Sequence, residues 1–158
     1  MNQPRLAKKE DMSRVFELIK ELAIFEKEPN AVEVTAEQLI KDGFGKQPKF
    51  VCFVVEVNNK VEGLALIYTR YSTWKGEVIH LEDLIVSQAN RGKGLGTVLL
   101  DEVVKYGKMK GVKRISWEVL DWNEPAIEFY EKKGANVMRD WDVVQMDNAA
   151  IDNYIAKL

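Results

Sequence analysis

The sequence predicts an α/β domain with a mixed, mostly antiparallel central sheet flanked by helices. Three observations predict it. Met12, Val15, Phe16, Ile19, Leu22 and Ala23 recur at helical spacing, with lysine and glutamate on the other face. Three apolar runs, Phe50–Val57, Val61–Thr69 and Glu77–Val86, then follow with only turns between them. After them the order becomes helix, strand, helix, strand. A meander followed by strand–helix–strand units implies a mixed sheet covered on both faces.

The elements follow in order. Arg5-Leu6-Ala7 reads as a short first strand, and the first helix spans Asp11 to Glu26, stopping before Pro29-Asn30. Thr35-Ala36-Glu37-Gln38 is a capping box that opens a second helix through Lys41, ended by Gly43-Phe44-Gly45. Asn58-Asn59-Lys60 turns the first hairpin. Tyr71–Lys75 is a loop carrying Trp74, with Gly76 as its turn residue. Ser87–Gly96 leads into a helix from Thr97 to Lys110, closed by Gly111. Val112–Leu120 is a strand. Asn123 caps a helix with Pro125 in its first turn, which runs to Lys133 and ends at Gly134. A last strand over Asn136–Gln145 and a short helix over Asn148–Lys157 complete one domain of residues 1–158.

Composition bounds the function. The chain has 158 residues, 46 % apolar and 30 % charged, an ordinary globular balance. The formal charge of −2 gives no basic field, so no nucleic-acid partner is expected. No apolar leader or membrane-length run is seen, so neither a membrane partner nor export is expected, and the cytoplasm is the expected compartment. The single cysteine, Cys52, lies in the apolar run Phe50–Val55 and reads as a packed thiol. One histidine, His80, and one cysteine leave too few nitrogen and sulfur ligands for zinc, and no metal is expected. A Cys–His or Ser–His arrangement would have to involve His80.

Arg91-Gly92-Lys93-Gly94-Leu95-Gly96-Thr97 follows a strand and opens a helix. Alternating glycines let several N–H groups point at one spot, and the helix N-terminus and two cations add positive charge. These features suit a pyrophosphate. The spacing is not that of a P-loop, because no lysine follows Gly96. Nor is it the G-x-G-x-x-G dinucleotide fingerprint, because these glycines alternate. A plain glycine-rich turn remains the alternative.

Glu82 and Asp83 interrupt an apolar strand, Val78–Val86. Neighbouring strand residues point to opposite faces, so in a covered sheet at least one carboxylate should line a wet cavity or meet a cation. A sheet edge or a bulge would instead let both reach water. Glu82 can accept or relay a proton from an amine, and Asp83 can hold a cationic substrate.

The strand Leu81–Val86, the loop Arg91–Gly96, the helix Asn123-Glu124-Pro125-Ala126-Ile127-Glu128-Phe129-Tyr130 and Gly134-Ala135 together resemble the GNAT superfamily of N-acetyltransferases. Arg91, Gly94 and Gly96 meet its Arg/Gln-x-x-Gly-x-Gly/Ala loop; Asn123, Ala126 and Tyr130 meet its Asn-x-x-Ala/Ser-x-x-x-Tyr helix. Further stretches resemble the diamine acetyltransferases, including the spermidine/spermine and thialysine acetyltransferases. They are Leu18–Ala23 with Phe25-Glu26, Asp42–Gly45, Trp74–Gly76, Leu81–Asp83 and Trp122–Pro125.

The resemblance implies acetyl-CoA as co-substrate. The backbone of Leu84, Ile85 and Val86 would pair with its pantetheine arm. The loop Arg91, Gly92, Lys93, Gly94, Leu95, Gly96 and Thr97 would hold the pyrophosphate, and Asn123 and Ala126 would line the cofactor. Tyr130 would protonate the departing thiolate and Glu82 would be the base through water. Phe25, Glu26, Trp74, Glu82 and Asp83 would surround the amine. A homodimer is implied, with the last strand and Trp141 as candidate contacts.

Physical chemistry asks for such a base. A lysine-like amine has a pKa of about 10.4, so the inert ammonium binds at pH 7 and must lose a proton before attack. One departure narrows the substrate. Polyamine acetyltransferases carry another acidic residue just before the Trp74 position, whereas Tyr71-Ser72-Thr73 has none. A diamine, lysine or thialysine-like amine is then favoured over spermidine or spermine. The rival readings are a peptide N-acetyltransferase, a non-catalytic acyl-CoA sensor and a generic phosphate-binding protein.

Overall fold

Three long apolar strands build the centre of the sheet, as the meander predicts. The computed structural model describes residues 2–158. Strands β1 (Arg5–Leu6), β2 (Val51–Val57), β3 (Lys60–Ser72), β4 (Gly76–Val86) and β5 (Ile115–Ser116) form one sheet in that spatial order. Every pair is antiparallel except β4–β5, which is parallel. Asn58 and Asn59 both adopt positive φ, 52° and 61°, closing the β2–β3 hairpin with a turn whose twist suits the strands.

Alternation sorts the side chains onto two faces. Cys52, Val54, Leu64, Leu66 and Ile85 form one core with Met12, Val15 and Leu18 of α1 (Met12–Phe25) and Leu39 of α2 (Ala36–Phe44). The intervening residues face α3 (Leu95–Lys110), where the Phe53 ring lies 5.7 Å from Tyr106. A Cβ at Gly63 would stand 3.1 Å from Leu99 Cδ1 and 3.0 Å from the Ile85 carbonyl, so a side chain there would have to push α3 or β4 back slightly. Helices cover both faces, as expected of the fold class.

Several boundaries differ from the sequence expectation. Thr35 Oγ1 accepts the Gln38 N–H at 3.1 Å, but Gln38 Nε2 bonds Asp42 rather than closing the box. α2 runs through Gly43, where a side chain would overlap the Phe50 ring; that glycine serves packing rather than termination. β3 continues through Tyr71 and Ser72, which were expected in the loop, and α3 starts at Leu95, two residues before Thr97. The expected strand Val112–Leu120 shrinks to Ile115–Ser116, the two residues that pair with Ile79 and His80 of β4.

Two compact units are present, one ending at Glu118 and one spanning Val119–Leu158. The second contains α4 (Glu124–Lys132) and α5 (Asn148–Ile155). Asn123 Oδ1 accepts the Ala126 N–H at 3.4 Å and Asp147 Oδ1 accepts that of Ala150 at 2.7 Å, so each helix opens on its own cap. The expected strand Asn136–Gln145 does not form: the segment has no ladder assignment and turns at Arg139–Asp140. Its Val143 and Val144 are 60 % and 90 % exposed, and β-propensity without a half-buried surface makes no strand. No helix among the described residues is long and apolar enough to cross a membrane.

Two bulges interrupt the sheet, and each extra residue is a glutamate. Between β2 and β3 the pairing passes from Val55↔Gly63 to Glu56↔Val61, leaving Glu62 unmatched. Between β3 and β4 it passes from Leu66↔Asp83 to Ile67↔Leu81, leaving Glu82 unmatched.

Candidate active site

The bulge at Glu82 answers the question posed by two adjacent carboxylates. An extra residue breaks strict alternation, so neighbours need not point to opposite faces. Asp83 lies opposite Leu66, on the face carrying α1. Glu82 reaches His80 and Tyr68, which pair with each other across β3–β4 two residues along that face. Both carboxylates therefore serve one face, contrary to the expectation that they would part.

The charge around them is one-sided. Burial, then the charges of Glu82 and Glu26, push the Asp83 carboxyl up to about 6. Burial also raises Glu26, at the end of α1. Glu62, by contrast, is held below the ordinary carboxylate range: its burial is outweighed by Ser87, Arg14 and Lys60. Arg14 Nη2 stands 3.0 Å from Glu62 Oε2, whereas no lysine or arginine pairs with Glu82 or Asp83 among the described residues. A cluster of acids without a paired cation has charge left to balance and can accept a cation from solution.

This arrangement gives a pH prediction. Asp83 has a folded-state pKa raised above its ordinary value, so the fold favours its neutral form. The folded chain binds more protons than the unfolded one between pH 4 and 6, and stability falls as pH rises through that window. Asp83→Asn is expected to raise the melting temperature at pH 8 and leave it nearly unchanged at pH 4. Thermal melts at the two pH values check this; equal shifts at both would refute the assignment.

Next to the carboxylates, β4 presents an open edge. β5 pairs only with Ile79 and His80, so no strand covers that edge along Leu84, Ile85 and Val86 among the described residues. On its other edge the same stretch pairs with Ala65, Leu64 and Gly63. An extended ligand can add to such an edge through backbone hydrogen bonds.

The glycine loop follows directly. Gly92 and Gly94 adopt φ of 74° and 82°, a region that favours glycine. Gly94 is the N-cap of α3 and has no side chain with which to cap it. The first helical bond is Val98 N to Gly94 O at 3.2 Å, so the N–H groups of Leu95, Gly96 and Thr97 lack helical partners. The residues present therefore fit a pyrophosphate. Arg91 also ties the loop to the sheet: its N–H closes the turn onto Gln88 O, its Nε donates to Val86 O at 3.2 Å, and its guanidinium stacks 4.7 Å from the Phe25 ring centroid. Lys93 Nζ donates to Ala89 O and Asn90 Oδ1. Both cations brace the loop, and Phe25, expected beside the amine, braces Arg91.

Sequence reasoning missed the supports. Glu21 Oε1 accepts the Gln88 N–H at 2.6 Å and ties α1 to the loop. Ser87 N–H donates to Glu62 O, and Ser87 Oγ accepts from Asn90 Nδ2. Tyr68 flanks Glu82; burial first, and the Glu82 charge second, raise its phenol. Alternation from Leu64 and Leu66 was the only available signal for Tyr68. Trp74 is not brought to the carboxylates of its own chain: it sits on the β3–β4 turn, 80 % exposed. Six residues of β3, about 20 Å, separate Leu66 from Ser72. Ser72 Oγ accepts the N–H groups of Trp74 and Lys75, a turn-capping duty where an acid was looked for. In the second unit Tyr130 is 9 % exposed, its ring 5.3 Å from that of Phe129. Burial pushes the Cys52 thiol up to about 12, away from the nucleophilic thiolate.

An open β4 edge running into an uncapped, glycine-rich helix start can take an extended ligand that carries a phosphate. The model of the acetyltransferase (GNAT) family matches residues 12–135, and the chain belongs to that family. The chain is 34 % identical to a Bos taurus thialysine N-epsilon-acetyltransferase over 97 % of its own length and 96 % of the relative's. It is 36 % identical to a Homo sapiens spermidine/spermine N(1)-acetyltransferase-like protein 1, over 84 % of this chain and 20 % of that one. An integron cassette protein from V. cholerae shares the fold, with a TM-score of 0.79 at 20 % identity over 99 % of this chain and 98 % of that one. The protein is an acetyl-CoA-dependent N-acetyltransferase acting on amines.

Proposed function

We propose that the chain acetylates the primary amine of a small cationic substrate: a polyamine, a diamine or a lysine- or thialysine-like amino acid. The observation that carries this is the bulge, which gathers Glu82 and Asp83 on the α1 face with Glu26 near them and no cation paired to either. Asp83 and Glu26 hold the ammonium. Glu82 takes its proton through a water, and the freed nitrogen attacks directly, without a covalent enzyme intermediate. Acetyl-CoA supplies the acyl group as a thioester, held along Leu84–Val86 and by the N–H groups from Gly92 to Thr97. Asn123 and Ala126 line the cofactor, and Tyr130 returns a proton to the departing sulfur.

The far end of the substrate is read by β3. Beyond Tyr68 the next side chain on the same face is Arg70, a cation, and the one after it is Ser72. This favours a short diamine, or an amino acid whose carboxylate meets Arg70, over a long polycation. One domain spans both units in this reading, since the family match crosses Glu118 and Val119. We also place the enzyme in the cytoplasm, consistent with a lone reduced thiol. A homodimer would cover the exposed Trp141, Val143, Val144 and Met146.

The test is release of free CoA from acetyl-CoA with putrescine, spermidine, lysine, thialysine and an amino-terminal peptide. The expected order puts the short amines and amino acids above spermidine. Faster turnover of the peptide would favour a protein acetyltransferase. No release with any acceptor would overturn the proposal.

A further inference from the structure

His80 is 93 % buried at the foot of the bulge, since only 7 % of its surface is exposed. Its ring centroid lies 5.2 Å from that of Tyr68. Nε2 is 3.6 Å from Glu82 Oε2, just beyond hydrogen-bond length, and Glu82, 52 % exposed, has room to rotate. Nδ1 is buried and has no hydrogen-bond partner among the described residues. A buried nitrogen left unpaired in this way calls for an explanation. With Nδ1 facing no partner, Nε2 is the ring's one outlet, and that outlet is Glu82. The other titratable or charged groups around the pair are Tyr68 and Arg70 on β3, Asp83 on β4, Glu26 at the end of α1 and Glu118 just past β5.

We propose that His80 and Glu82 hold the substrate's proton as a pair, so that His80 is a positioning and proton-sharing residue acting through Glu82. The inference rests on reading Glu82 as the base. The ammonium N–H bond breaks and its electron pair stays on nitrogen. The proton passes to a Glu82 oxygen, or onward to His80 Nε2 when the neutral ring carries its hydrogen on Nδ1. Either way the charge of the pair goes from −1 to 0, and the acetyl transfer itself is unchanged. His80 gives the proton a second place to reside beside Glu82.

The experiment compares His80→Gln, Glu82→Gln and the double variant with putrescine or lysine as acceptor. Glutamine keeps a polar amide in place of the ring nitrogen but cannot take up a proton. His80→Gln is expected to lower kcat by about 10²-fold, the lower end for general acid–base groups. The acidic limb of kcat/KM should move to lower pH, with KM for acetyl-CoA unchanged. The double variant should be no slower than Glu82→Gln alone. His80→Phe, which keeps an aromatic ring on Tyr68, should behave like His80→Gln if the latter folds poorly. An unmoved acidic limb, or losses that multiply in the double variant, would overturn the inference while leaving Glu82 as base. Full activity in Glu82→Gln would overturn the base assignment itself and this inference with it.

Discussion

Glu82→Gln is expected to lower kcat by about 10²- to 10⁴-fold, the range for a positioned general base. Glutamine keeps the shape and polarity of the bulged residue but cannot accept the ammonium proton. KM for acetyl-CoA should stay near the wild-type value, because the loop that would hold the cofactor is built by Gly92, Gly94 and the start of α3. Steady-state kinetics against both substrates separate the two effects. The other bulged glutamate is the control. Glu62→Gln removes the charge that Arg14 pairs with at 3.0 Å, so it should reduce stability and leave kcat alone. An unchanged kcat in Glu82→Gln would remove Glu82 from the mechanism.

Gly94→Val is expected to raise KM for acetyl-CoA by about tenfold or more. A Cβ at Gly94 meets nothing within 4 Å, so the effect is not steric crowding by neighbours. It comes from the backbone: at φ 82° an L-residue costs roughly 1–2 kcal/mol, and a β-branched one more. The chain relieves that strain by turning the loop away, which withdraws the N–H groups of Leu95–Thr97 from a shared anion. About 1.4 kcal/mol is a factor of ten in affinity. The thermal shift on adding CoA, a binding readout independent of turnover, should shrink in parallel. A wild-type shift would show that the loop does not carry the cofactor.

Much of this molecule was legible in its sequence, and the failures share one cause. Helix starts at Thr35 and Asn123 announce themselves through side chains that cap their own backbone, and the structure shows those bonds. The apolar runs gave β2, β3 and β4 because their pattern is local. What was not legible depends on partners distant in sequence. Asn136–Gln145 has strand-forming residues but no ladder. Val112–Leu120 keeps only the two residues that find a neighbour on β4. Gly43 looked like a stop and is a socket for Phe50. The candidate site divides the same way. The loop and the acidic pair stood out by composition, whereas the ties from Glu21 to Gln88 and from Ser87 to Glu62 join residues far apart in the chain.

The same bulge carries a consequence for how this fold can change over evolutionary time. Glu82 is the one residue of β4 that the ladder with β3 does not count. Deleting it would join the two paired stretches into a regular ladder and disturb no other register. Sheet regularity and the proposed chemistry therefore pull in opposite directions at a single codon. A regular ladder would favour its loss, whereas the proposed chemistry requires it.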